Sequence, residues 1–103
     1  MTLPRVDVRS PKGPHRPAGP ELVGWARQQL RIAAQIVDNP GGGLLFATQT
    51  MGQVRVSLLG ADAEKHEPAA KALVRAEDAA IHRDFAAARA ALAEAQSHLE
   101  SAS

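Results

Sequence analysis

Between Glu21 and Asp38 apolar side chains recur at helical spacing. Leu22, Ala26, Leu30, Ala33 and Val37 form one stripe, and Trp25, Ile32 and Ile36 widen it. Arg27, Gln28, Arg31 and Gln35 are directed mostly away from that face. Pro20 suits a position at or near the first helical turn, and Glu21 the positive end of the helix dipole. Asn39-Pro40-Gly41-Gly42-Gly43 then stops the helix.

Residues 44–59 support two readings. As a helix, Leu44, Met51, Val54 and Leu58, with Leu45, Val56 and Leu59, make a broad apolar face closed by Gly60 as C-terminal cap. As strands, Val54, Val56 and Leu58 alternate with Gln53, Arg55 and Ser57, and Met51-Gly52 could be a hairpin turn. The helix is preferred: the alternation is short, a lone hairpin is marginal, and the flanking helices need an antiparallel partner. The alternative is an α+β fold with a hairpin at 44–59.

A further helix is expected over 67–81, with Pro68 in its first turn and a stripe of Ala69, Leu73, Ala76 and Ala80 flanked by Val74 and Ile81. After a break at His82-Arg83, Asp84 is a candidate N-cap for a last helix, roughly 84–100. Phe85, Ala88, Leu92, Ala95 and Leu99 carry its apolar spacing. So short a break demands an antiparallel αα-hairpin. The expected fold is all-α: a small antiparallel four-helix bundle over residues 21–103, preceded by an extended arm over 1–20.

The arm departs from the helical pattern. Residues 4–20 hold five of the seven prolines, and Pro11, Pro14, Pro17 and Pro20 recur at every third position. A polyproline II helix has three residues per turn, so this spacing lines the rings along one edge. From Pro11 to Pro20 the span would be about 30 Å. The arm carries Arg5, Arg9, Lys12 and Arg16 against Asp7 alone, a net +3, within a chain of net charge +1. The rest is mildly acidic.

Composition narrows the picture further. The chain has 103 residues and no cysteine, which excludes disulfides and thiolate chemistry. Trp25, Phe46 and Phe85 are its only aromatic side chains, while alanine is abundant, favouring closely packed helices. No apolar run approaches the ~18 residues of a membrane span, and no h-region follows the N-terminus, so a cytoplasmic location is expected. A domain of about eighty residues buries only about 60–65% of its unfolded surface, which makes partner association a natural supplement.

In the second half, Arg83-Asp84-Phe85 is followed by Ala88, Leu92 and Ala95, with Ala76 and Ala79 at small positions in the preceding helix. This spacing over residues 68–100 resembles a single tetratricopeptide-like helical hairpin. No large aromatic precedes Ala76, the closing proline is absent, and no second unit of that period lies upstream. Arrays of such units need about three copies to bury a core. The resemblance therefore implies a lone hairpin, of a geometry common in protein-binding scaffolds.

Candidate chemistry is sparse. Asp78 with His82 and Glu94 with His98 are acid–histidine pairs at i, i+4 spacing, each able to offer two metal ligands. In an antiparallel hairpin they sit at opposite ends, roughly 10–20 Å apart, too far to share an ion. His66 could approach His98, but two imidazoles make a weak site, and no metal or cofactor is expected. Arg75 and His82 match the arginine–x4–6–histidine spacing of HEPN-like helical RNases, a family in which the two residues act across a dimer interface. That resemblance implies His82 as acid–base group and Arg75 as transition-state stabiliser, although Ala76 replaces the polar residue common after that arginine. Gly41-Gly42-Gly43 lacks any phosphate-loop lysine and reads as a linker.

Pro11-Lys12-Gly13-Pro14-His15-Arg16 fits PxxPx+, the pattern of peptides that dock in aromatic-lined grooves. The expectation from sequence is a non-catalytic accessory subunit or adaptor inside a larger assembly. Its expected contacts with a protein partner are Arg9, Pro11, Lys12, Pro14, Arg16 and Pro17 of the arm and the apolar face of Trp25, Ile32 and Ile36. A homo-oligomer is compatible with this reading. The alternatives are a nucleic-acid-associated protein that lays the basic arm along phosphates and the HEPN-like RNase.

Overall fold

The computed structural model describes residues 19–102. Three helices account for nearly all of them: α1 (Glu21–Asp38), α2 (Leu44–Ile81) and α3 (Phe85–Ala102). The expected arm contacts Arg9, Pro11, Lys12, Pro14, Arg16 and Pro17 lie outside the described residues. The all-α class holds throughout the described part; residues 44–59 are helical, so the strand hairpin is discarded.

Helix α1 has the expected bounds. Pro20 occupies its N-cap position and Glu21 its first turn. Its end is closed by the Asn39 amide, which donates to the Gln35 and Ile36 carbonyls. Gly41 follows at φ +48°, in the left-handed region that glycine enters at no steric cost.

The expectation of four helices is corrected to three. Residues 60–66 form no loop: α2 runs through them, and only Asp62 leaves helical geometry, at φ −161° and ψ 91°. Gly60 is therefore inside the helix and not its cap, and Pro68 lies beyond the first turn after the break. The physical reason is that Ala61, Ala63, Glu64 and Lys65 are strong helix formers, with no Pro-Gly stop like that at Pro40-Gly41. The break is capped: the Lys65 amide donates to Asp62 Oδ1 at 3.1 Å, the N-cap geometry of a new helical limb.

The break reverses the chain. Arg55 and Glu77 are 22 residues apart, a separation of about 33 Å on a straight helix at 1.5 Å per residue. Arg55 Nε nevertheless donates to Glu77 Oε2 at 2.8 Å, and Arg55 Nη2 to Glu77 Oε1 at 3.1 Å. The limbs 44–61 and 63–81 thus lie against each other, clamped by a two-pronged ion pair. The Glu77 hydrogen bond raises the Arg55 pKa, ahead of the opposing effect of burial.

The turn into α3 is a Schellman motif. The Arg83 amide donates to the Ala80 carbonyl at 3.0 Å and the Asp84 amide to the Ala79 carbonyl at 2.8 Å. Arg83 holds the left-handed position at φ 62°, and Asp84 Oδ1 accepts from the Ala87 amide at 3.2 Å, capping α3 as expected. A left-handed non-glycine residue costs roughly 1–2 kcal/mol. Arg83→Gly is therefore expected to stabilise the fold by about 0.5–1 kcal/mol, after the greater unfolded-state freedom of glycine is subtracted. Chemical denaturation checks this; a loss of stability would show that the Arg83 side chain does more than occupy the turn.

Both limbs of α2, with α1 and α3, share one core. Leu22, Leu30 and Val37 meet Met51, Val54 and Leu58 from the first limb, Leu73 from the second, and Leu92 and Leu99 from α3. Between these large side chains stand fully buried alanines, among them Ala33, Ala72, Ala76, Ala80, Ala88 and Ala95. Small side chains let the helix axes approach closely. Gln96 Nε2 donates to the Arg27 carbonyl at 3.0 Å, tying α3 to α1.

Candidate protein-interaction surface

The core leaves one row of large apolar side chains uncovered, and it lies on α2. Leu45, Phe46, Val56, Val74 and Ile81 have between 51% (Val56) and 70% (Leu45) of their surface exposed. Leu45, Gly52, Val56 and Leu59 follow seven-, four- and three-residue steps on the first limb, while Ala70, Val74 and Ile81 do so on the second. Where the limbs fold together near the break, Leu59 of the first row meets Ala70 and Val74 of the second. Leu59, Ala63, Ala70 and Val74 line a groove of about 480 Å³ between them. Arg55, Glu64, Glu67 and Lys71 supply charges of both signs along its rim.

The expected α1 face is placed differently. Trp25 and Ile36 are half-buried and pack on the core, and Ile32 alone of the three counts as exposed, at 37%. The richer apolar surface is the α2 row, which sequence reasoning did not single out. Its signal was present: the apolar face of residues 44–59 was already broader than one packed side of a helix, and Val74 and Ile81 flanked the stripe of the next.

The polar candidates form pairs. His98 Nε2 and His82 Nδ1 lie 3.6 Å and 3.5 Å from Glu94 and Asp78, respectively. Arg75 reaches across to α3, where its Nη2 is 2.6 Å from Glu94 Oε2. That contact, foremost, lowers the Glu94 pKa. The Arg75 guanidinium is thus held by a carboxylate on α3, while the His82 ring bonds within its own turn, Nδ1 lying 2.9 Å from the Asp78 carbonyl. Arg75 lines a cavity with Glu94 and His98 of α3, and His82 is not among its lining residues. No three His, Asp or Glu side chains cluster as metal ligands among the described residues.

His66 is the buried polar group that stands apart, at 4% exposure. Burial lowers its pKa, the Lys65 charge adds to this, and Asp62 opposes it. A histidine that resists protonation when folded binds fewer protons than the unfolded chain just below pH ~6.5. Its contribution is therefore harmless at neutral pH, and stability falls as pH drops from about 6.5 towards the depressed folded value. His66→Gln is expected to flatten that limb of the stability–pH curve. Denaturation midpoints measured from pH 7.5 downwards check this, and an unchanged slope would contradict it.

No described helix is long and apolar enough to cross a membrane. In comparison with known proteins, no family model matches the chain, and no curated protein or solved structure matches it significantly.

Proposed function

We propose that this protein is a non-catalytic accessory subunit or adaptor that binds an amphipathic helix of a protein partner in the groove between the limbs of α2. The observation that carries the reading is the apolar floor of that groove, Leu59, Ala63, Ala70 and exposed Val74, on a helix that also exposes Leu45, Val56 and Ile81. A helix-in-groove contact places apolar anchors at i, i+3, i+4 and i+7, and two antiparallel limbs offer a trough of that shape. The mixed charges of Arg55, Glu64, Glu67 and Lys71 on the rim fix the register of a partner without excluding water from the charged groups. The basic arm is a second contact, with Arg9, Lys12 and Arg16 engaging acidic side chains beside the groove-bound helix.

A double substitution, Ala63→Glu with Val74→Glu, places two charges on the groove at positions that are already exposed. Helical content should be retained and partner capture from native lysate should fall at least about tenfold, since burying an unpaired charge costs several kcal/mol. Capture unchanged by this variant, but lost on nuclease treatment or when Arg5, Arg9, Lys12 and Arg16 are neutralised, would replace the adaptor reading with nucleic-acid binding.

A further inference from the structure

We propose that the cavity beside Gly19 and Pro20, at the start of α1, is a binding site for a small carboxylate with an apolar body, taken up together with a proton on His66. The cavity measures about 680 Å³ and is bounded by all three helices. Leu22 and Val23 of α1, Ala61 of α2 and Ala102 of α3 make its apolar wall. Asp62, Lys65 and His66 of α2 make its polar side.

Two observations point to an anion. First, His66 is 96% buried at 4% exposure, faces this cavity, and has no hydrogen bond to another described residue. An imidazole with no protein partner leaves its hydrogen-bonding capacity to whatever fills the space. Second, the Lys65 ammonium is the cation on the wall, while Asp62 is already turned to its own helix, its Oδ1 accepting from the Lys65 amide. The helix ends leave the choice to these groups: the N-termini of α1 and of the second limb of α2 reach the cavity, but so do the C-terminal ends of the first limb, at Ala61, and of α3, at Ala102, and the dipoles oppose one another.

The charges require the proton. With His66 neutral, Lys65 and Asp62 cancel. Glu21 and Glu100 are the acidic residues nearest in sequence to the α1 and α3 walls, whose lining residues Leu22, Val23 and Ala102 are themselves uncharged. An incoming monoanion is balanced only when His66 becomes imidazolium, which then donates to the carboxylate. No covalent bond is made: one anion and one proton enter and leave together. The apolar wall selects a carboxylate with a short hydrocarbon body over a bare inorganic anion.

The test uses the full chain, with hexanoate as probe and hexanol and inorganic phosphate as comparisons. Imidazole resonances are followed by NMR, that of His66 being assigned by its loss in His66→Gln. Hexanoate should move the His66 resonance to its protonated position at pH 7. Its affinity should rise as pH falls, approaching the tenfold-per-unit limit for uptake of one proton. His66→Gln should remove that pH dependence and Lys65→Ala should weaken binding. Four results would overturn the proposal: no hexanoate binding at about 10 mM, a range weaker than any useful site; binding without movement of the His66 resonance; equal affinity for hexanol; or equal affinity for phosphate. The resonance of the wild-type chain decides the question even if either variant fails to fold.

Discussion

Leu73→Ala should remove about 3 kcal/mol of stability, the middle of the range for a fully buried leucine. Leu73 has no exposed surface and stands on the second limb of α2, where the core is otherwise built from alanine. Ala69, Ala72, Ala76 and Ala80 on the same limb have no spare atoms to swing into the space left behind. The cavity therefore stays open, and the cost includes lost dispersion contacts as well as lost transfer energy. For a domain of this size each kcal/mol shifts Tm by about 4–8 °C, so a fall of roughly 12–24 °C is expected. Thermal and urea denaturation followed by circular dichroism measure it. A loss below about 1 kcal/mol would mean that the core relaxes around the site in a way a close-packed interior does not.

Ala76→Leu should be as instructive in the opposite direction. Ala76 is fully buried, at a point where small side chains let helices lie close together. Three added carbons have nowhere to go without moving a helix axis or forcing an off-rotamer side chain, and overpacking of this kind costs about 1–3 kcal/mol. The same substitution at Ala93, which is exposed on α3, adds no clash and should stay within about 0.5 kcal/mol. The difference between the two variants isolates packing from helix propensity, since alanine and leucine are both strong helix formers. Equal effects at both positions would contradict the alanine-spaced core.

Much of this fold was legible in the chain. Pro20, the Asn39-Pro40-Gly41 stop and the Asp84 cap act through local backbone chemistry, and they mark the start and end of α1 and the start of α3 directly. The join within α2 was not legible. Gly60 and Pro68 look like the edges of a loop, but a single extended residue and an Asp62 cap turn the chain with no loop at all. The outcome depends on contacts 22 residues apart, such as Arg55 with Glu77, which no local pattern reveals.

The candidate surface was legible in part for the same reason. Periodicity shows that Trp25, Ile32 and Ile36 are apolar and share a side of α1, but it does not say which neighbour covers them. Packing buries much of Trp25 and Ile36 and leaves Val56 and Val74 outside. In sequence His66 was legible only as a candidate neighbour of His98, and the two line separate cavities. His66 is singled out by a cavity that exists only once the break at Asp62 has brought α1, α2 and α3 to one end of the bundle.

The central claim is that the groove between the limbs of α2 receives a protein helix, and site-specific photo-crosslinking in native cells tests it most directly. A photoreactive residue is placed at Val74 on the groove, or at exposed Gln28 on α1 as the control. The adaptor reading predicts one discrete protein adduct from position 74, resistant to nuclease, absent from position 28, and abolished by Ala63→Glu. No protein adduct from position 74, or the same adducts from both positions, would contradict it.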